Sequence, residues 1–247
     1  MRIKINGIGE KSPVPLSKKL YIASLSHSGD FCADFVESIL RTQKILMQNN
    51  IDFMVKFLLH DSILERARNM IVADFMSSEC THLLMIDSDQ GWDSDKIIKM
   101  LNFDKEFISG AVPIKDPNGE NYALSIHVNL DGTPKVDKDG LLNASMIGSA
   151  FIMLKRELFE KMIIEYGSKI YCPSVNMNYY SFFEITKSPV FLGEDVTFCK
   201  RWIDMGGEIK IMPNINMTHV GKKIFKGNYH EYLLKQPAPK LTNGIMI

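Results

Sequence analysis

The stretch His82-Leu83-Leu84-Met85-Ile86-Asp87-Ser88-Asp89 decides the fold prediction for this chain. Its first five residues form a short and mainly apolar run, which predicts a strand buried within a sheet. The run ends abruptly in two carboxylates, at the carboxyl end where open α/β sheets bind their ligands. Residues i and i+2 of an extended chain point the same way, so the two carboxylates are predicted to lie on one side.

Two carboxylates so close together repel each other unless a cation or hydrogen-bond donors balance them. A hard divalent ion, Mn²⁺ or Mg²⁺, is the natural partner because it prefers oxygen ligands. Such an ion can bridge a diphosphate and offset the charge that develops on a leaving nucleotide. A D-x-D pattern alone is a weak signal, and a solvated acidic turn stays open as the alternative.

Outward from this strand, apolar runs alternate with segments of helical spacing. Strands are predicted at Leu20–Ala23, Asp52–Leu58 and Phe107–Val112, and helices over 31–48 and from Leu64 through Phe75. Repeated β-α-β units imply an α/β fold with a mostly parallel sheet and helices on both faces. Prolines and glycines between 113 and 146 mark turns, and short alternating pieces there predict a small antiparallel addition.

The bulk properties limit the class of protein. The 247 residues suffice for one α/β domain, predicted to span 1–247 with an irregular arm at 1–19 and an irregular tail at 223–247. The formal net charge of zero argues against a general nucleic-acid binder. Four cysteines without a C-x-x-C pair suggest reduced thiols. Neither a signal peptide nor a transmembrane run is visible, so a cytoplasmic location is expected.

Three further elements carry candidate chemistry. Arg66 and Asn69 share a helix face just before the central strand, where an arginine suits a phosphate, whereas Arg68 is expected to point elsewhere. Asp195, in Gly193-Glu194-Asp195, is a candidate general base, although acidic residues at a helix start are also favoured by the helix dipole. His219 is a candidate metal ligand beside Asp89, although a lone histidine is more often structural.

The ordered set of motifs resembles the GT-A glycosyltransferases. It consists of R-x-R-N, a strand with D-S-D, S-G-A-V-P-I-K, G-S-A-F-I-M-L-K-R-E-L-F, G-E-D-V-x-F-C-K-R and H-V-G, over about residues 20–222. It is most similar to the compact versions of phages, large DNA viruses and bacterial polysaccharide clusters. The resemblance implies a Rossmann-like GT-A sheet. A viral source would place the protein in the host-cell cytoplasm.

The resemblance also implies residue roles. Asp89 and His219 would bind the metal, and Asp195, with Glu194 beside it, would act as the base. Binding of the nucleotide or donor sugar is expected of Ser24, Ser26, Arg66, Asn69, Asp87, Ser88, Gly110, Lys115, Gly148 and Lys222. Many relatives carry a proline just after the first strand, where this chain has Ser24-Leu25-Ser26.

The predicted function is metal-dependent transfer of a sugar from a nucleotide-diphosphate sugar, with a UDP-sugar favoured, to a hydroxyl of a glycan or glycoprotein. Inversion at the sugar carbon is favoured, with Asp195 as the base. A sugar-nucleotide nucleotidyltransferase is one alternative, but the loop Ser24–Asp30 has one glycine and no lysine or arginine to hold a triphosphate. A non-catalytic nucleotide- or carbohydrate-binding module is the other.

Overall fold

The computed structural model describes residues 17–167, 169–173, 176–187 and 189–236. The helices in these ranges are α1 (Ala33–Gln48), α2 (Leu64–Ser77), α3 (Lys96–Phe103), α4 (Arg156–Tyr166), α5 (Glu194–Asp204) and α6 (Tyr229–Lys235). The strands are β1 (Lys19–Ser26), β2 (Asp52–Leu59), β3 (His82–Asp87), β4 (Gln90–Trp92), β5 (Phe107–Gly110), β6 (Leu124–Ile126), β7 (Leu142–Ile147), β8 (Phe151–Lys155), β9 (Lys169–Cys172), β10 (Met177–Tyr180), β11 (Ile209–Met212), β12 (Asn216–Val220) and β13 (Ile224–Asn228).

Eight strands form one sheet in the order β2-β1-β3-β8-β5-β11-β7-β6. β1 pairs in parallel with β2 and β3, and β5 pairs in parallel with β11, whereas β8 runs antiparallel between β3 and β5. Two small antiparallel sheets, β9-β10 and β4-β12-β13, accompany it. The predicted α/β class with a mostly parallel sheet and an antiparallel addition is confirmed, and it is consistent with a Rossmann-like GT-A arrangement.

Helices cover both faces of the large sheet, as predicted. Phe75 of α2, Phe159 of α4 and Phe198 of α5 lie in one core cluster. Phe35 of α1 and Leu101 of α3 lie in the other. Each buried side chain of this size contributes about 1.5–3 kcal/mol relative to an exposed one.

The central strand β3 serves both cores, because its successive side chains point to opposite faces. Leu83 and Met85 lie in the core with α2, whereas Leu84 and Ile86 lie in the core with α1. All four side chains are fully buried. The apolar run that ends in Asp87 is therefore a doubly covered strand, and the turn after it lies at the sheet edge.

The prediction of an irregular tail from 223 is wrong for residues 224–235, which form β13 and α6. The rings of Tyr229 and Tyr232 pack on Tyr122 at centroid distances of 4.7 and 5.2 Å. This contact is distant in sequence, so no local pattern indicates it. The end of the predicted N-terminal arm is also wrong, because β1 begins at Lys19. Residues 1–16 and 237–247 lie outside the described residues.

Two further points concern the whole chain. None of the helices in the described ranges is long and apolar enough to cross a membrane. The single-domain organisation over 1–247 stays a prediction.

Candidate active site

The D-x-D turn lies between β3 and β4 and faces the hairpin formed by β12 and β13. β4 pairs with β12, which sets His219 opposite Gln90, and the Val220 N–H donates to the Asp89 carbonyl at 2.8 Å. These backbone contacts fix His219 beside Asp89, although 130 residues separate them in sequence (219 − 89). His219 and Asp89 are therefore close together in space, as predicted.

The Asp89 carboxylate is surrounded by donors. Its Oδ2 lies 2.6 Å from Lys115 Nζ and 3.4 Å from His219 Nε2, and its Oδ1 accepts a hydrogen bond from Gln90 Nε2 at 3.1 Å. Burial raises the pKa of Asp89, but the hydrogen bonds and charges of His219 and Lys115 outweigh it and leave the pKa well below its usual range. Asp89 is therefore ionised at neutral pH.

The His219 ring is oriented by Pro113. Its Nδ1 lies 2.8 Å from the Pro113 carbonyl oxygen, which can only accept, so Nδ1 carries the proton and donates it. Nε2 consequently faces Asp89. A backbone carbonyl behind one ring nitrogen is the usual support for a metal-binding histidine.

These donors fit a divalent cation with an open coordination sphere. Asp89 supplies an oxygen and His219 a nitrogen, which leaves positions for water and phosphate oxygens, as Mg²⁺ sites commonly do. Among the described residues, no group of three or more His, Cys, Asp or Glu side chains could hold a metal ion. The residues present would therefore supply an ion with two protein ligands, Asp89 and His219.

The Asp87 side chain lies on the face of the sheet that α2 covers, and not on the face that α1 covers. Its Oδ1 lies 3.4 Å from Arg68 Nη2, and its backbone N–H donates to the Ala150 carbonyl at 2.9 Å. Burial raises the pKa of Asp87, and the charge of Asp89 adds to this, while Arg68 opposes it. Asp87 and Asp89 thus lie in different environments, Asp87 with a buried guanidinium and Asp89 with the exposed hairpin.

The prediction that Arg68 points away from the site is wrong. Arg68 contacts Asp87, whereas Arg66 Nε and Nη2 donate to the two oxygens of Asp61 at 2.9 and 2.8 Å. The reason is the way α2 is turned towards the sheet, which buries Arg68 together with Ala67, Ile71 and Phe75.

Asn69 has a structural role, and its predicted nucleotide contact stays a prediction. Its side chain is 1% exposed. Its Oδ1 accepts from the N–H groups of Phe182 and Phe183 at 3.0 and 2.9 Å, and its Nδ2 donates to the Phe183 carbonyl at 2.7 Å. These bonds hold the loop after β10 against α2.

Glu194 and Asp195 begin α5, as predicted, and lie beside the same region. Glu194 Oε1 is 3.4 Å from Arg68 Nε. Asp195 Oδ1 accepts from the Val196 N–H at 2.7 Å, and Oδ2 lies 3.7 Å from where a Cβ on Gly148 would stand. The absence of a side chain at Gly148 therefore leaves one face of the candidate base open.

The other predicted residues differ in their roles. Ser26 Oγ donates to the Asp30 carbonyl at 2.7 Å and accepts from the Gly29 N–H at 3.1 Å, so it closes the loop after β1. A Cβ on Gly110 would lie 3.1 Å from Phe151 and Ile215, so this glycine permits close packing. The Ser88 carbonyl accepts from the Cys32 N–H at 3.1 Å. Lys222 is exposed in the turn between β12 and β13.

Buried polar atoms without a hydrogen-bond partner concentrate near this site, although Arg68 Nε has an ion-pair contact with Glu194. In the described part of the chain they are Ser24 Oγ, Arg68 Nε, His82 Nε2 and Gln90 Oε1. Buried polar groups are normally hydrogen-bonded, so each exception calls for a reason. Three of the four belong to residues near the carboxyl ends of β1 and β3 or to their contacts. Sequence reasoning missed Gln90, although it directly follows the D-x-D.

No protein-family model matches the sequence, and no curated protein matches it either. Solved structures are similar at low identity. A197 from STIV has a TM-score of 0.48 at 15% identity, covering 92% of this chain and 100% of its own. A glycosyltransferase involved in the glycosylation of the major capsid of PBCV-1 has a TM-score of 0.32 at 10% identity, covering 59% of this chain and 64% of its own.

The inositol-1-phosphate CTP transferase from T. maritima has a TM-score of 0.39 at 10% identity, covering 83% of this chain and 89% of its own. Sugar transfer and nucleotide transfer thus both occur among the names of similar structures. These TM-scores are below 0.5, so the function is inferred from the geometry of the site itself.

Proposed function

We propose that this protein is a metal-dependent glycosyltransferase that moves a sugar from a nucleotide-diphosphate sugar, with UDP as the favoured nucleotide, to a hydroxyl of a glycan or glycoprotein. One observation carries the proposal: the Arg68 guanidinium contacts both Asp87, two residues before Asp89, and Glu194, the neighbour of Asp195. Asp89 in turn contacts His219 and Lys115. A cation-binding group and a candidate base thus lie on two sides of one region.

The residues divide the chemistry between them. Asp89 and His219 would hold Mn²⁺ or Mg²⁺, which when bound would offset the negative charge of the leaving diphosphate. Lys115 is close enough to Asp89 to contact the same phosphates. Asp195 Oδ2, which faces the space left by Gly148, would accept the proton of the acceptor hydroxyl as it attacks the sugar. A base opposite the leaving group favours inversion.

A nucleotidyltransferase is the alternative that the site supports less well. Such an enzyme must hold a triphosphate, which calls for cations or free backbone N–H groups after the first strand. In this chain the segment Ser24–Asp30 contains no lysine or arginine, and the Gly29 N–H is already bonded to Ser26. Release of pyrophosphate from a nucleoside triphosphate and a sugar phosphate would favour this alternative.

The test is turnover of nucleotide-sugars by the purified protein with Mn²⁺. We expect release of the nucleoside diphosphate, loss of Mn²⁺ affinity in Asp89→Asn, and a fall in turnover of at least about 100-fold in Asp195→Asn with donor binding retained. A wild-type protein that binds nucleotide-sugars but never turns them over would favour a non-catalytic binding module. The anomeric configuration of the product, read by NMR, tests inversion.

A further inference from the structure

Arg68 is the most deeply buried charge near the candidate active site, with 3% of its surface exposed. Its Nη1 donates to the Ser149 carbonyl at 3.0 Å and to Met85 Sδ at 3.3 Å. Its Nη2 lies 3.4 Å from Asp87 Oδ1, and its Nε lies 3.4 Å from Glu194 Oε1. One guanidinium thus contacts the end of β3, the segment before β8 and the first turn of α5.

Such an arrangement is weak evidence for a role in folding stability. Removing a guanidinium and two carboxylates from water has a desolvation cost that their attraction repays only in part. Apolar residues of similar volume often serve the folded state as well or better. Arginine, however, stays charged and presents several donors in a rigid plane, so it can fix two carboxylates at once. The cluster is therefore better explained by the relative positions in which Arg68 holds the two carboxylates.

We propose that Arg68 is a positioning residue that sets the distance between Asp87, beside the metal-binding turn, and Glu194, beside the candidate base. The proposal rests on the proposed function. Arg68 is too buried to contact a bound nucleotide-sugar directly, so it acts through the two carboxylates. Because Asp87 adjoins Asp89 and Glu194 adjoins Asp195, a shift of either carboxylate would misalign the leaving group with the attacking hydroxyl.

The kinetic test compares Arg68→Met and Arg68→Lys with Arg156→Met. Arg156 is the matched control, because it donates to the backbone carbonyls of Phe75, Met76, Ser78 and Cys80 and contacts no carboxylate among the described residues. We expect Arg68→Met to lower kcat roughly 10- to 100-fold with a smaller change in the donor KM, and Arg68→Lys to restore part of the loss. Arg156→Met is expected to lower Tm and leave the kcat of the folded protein close to wild type.

A wild-type kcat in Arg68→Met overturns the proposal, and so does an equal loss of kcat in Arg156→Met. If Arg68→Met does not fold, Arg68→Lys decides, because it keeps the charge but cannot contact both carboxylates: its kcat must fall.

A wild-type protein without turnover would end the proposed function but leave this inference testable. Crystal structures of the wild type and Arg68→Lys then decide it. Displacement of the Asp87 or Glu194 carboxylate by about 1 Å or more supports the positioning role, since shifts of this size matter for catalysis. Unchanged positions of both carboxylates overturn it.

Discussion

At the scale of single residues, Asp89 and Lys115 form the contact that most directly concerns metal binding. Lys115 Nζ lies 2.6 Å from Asp89 Oδ2, and each side chain is more than a third exposed. This is the same oxygen that faces His219 Nε2. A divalent ion at the proposed site would have to share or displace the ammonium group, so Lys115 would compete with the metal in the absence of nucleotide.

Replacing Lys115 with alanine is therefore expected to tighten Mn²⁺ binding to the nucleotide-free protein by about 2- to 5-fold, since a solvent-screened ion pair is worth under about 1 kcal/mol. Turnover should fall at the same time, because the phosphate contact is lost. Titration followed by Mn²⁺ electron paramagnetic resonance measures the affinity. Lys223→Ala, in the neighbouring turn, is the control. Weaker Mn²⁺ binding in Lys115→Ala would contradict this account.

At the scale of elements, two tertiary contacts assemble the site. The pairing of β12 with β4 carries His219 to the D-x-D turn, and Asn69 ties α2 to the loop that follows β10. Arg68 and Asn69 are neighbours on the buried part of α2, so the docking of this helix places the guanidinium and also anchors the loop. The position of the guanidinium depends on this docking.

Asn69→Ala is expected to lower the free energy of unfolding by about 3 kcal/mol, because it leaves buried N–H groups of Phe182 and Phe183 without a partner. Nucleotide affinity should stay close to wild type. Urea unfolding and calorimetric nucleotide titration measure the two quantities. Ser77→Ala, at the exposed end of the same helix, should change stability by less than about 0.5 kcal/mol. Normal stability with lost nucleotide affinity in Asn69→Ala would instead support the role predicted from the sequence.

At the scale of the whole molecule, the large sheet has a buried titratable group at the end opposite the site. His82, the first residue of β3, is 4% exposed and its Nδ1 lies 2.8 Å from Thr81 Oγ1. Burial, together with the charge of Lys155, lowers the pKa of His82 to about 4. In the unfolded chain a histidine titrates near 6.5.

Between these two values the unfolded state binds more protons than the folded state, so stability rises with pH. The protein is expected to lose on the order of 3 kcal/mol as the pH falls from about 6.5 towards 4. Urea unfolding at several pH values measures this loss. His82→Leu should flatten the dependence in that range, whereas His230→Leu, at an exposed position, should not. Equal slopes for His82→Leu and the wild type would show that other groups cause the loss.

Prediction from sequence succeeded where the signal is local. The apolar run before Asp87, the alternation of strands and helices, and the acidic start of α5 all follow from periodicity and capping within short windows. The prediction failed for Arg68, whose contacts join α2 to residues that are distant in the chain. No local pattern indicates the backbone contacts of Asn69 for the same reason. The prediction also failed for β13 and α6, which depend on the packing of Tyr229 and Tyr232 on Tyr122.

The sequence by itself determined the α/β class, the central strand and the acidic turn after it, because these depend on residues that are neighbours in the chain. Only the tertiary structure decided that His219 and Lys115 both face Asp89, and that Arg68, not Arg66, contacts Asp87 and Glu194. The physical reason is that these contacts depend on strand register and on the rotation of α2 against the sheet. The side chains of the whole core set both, and no single segment encodes them.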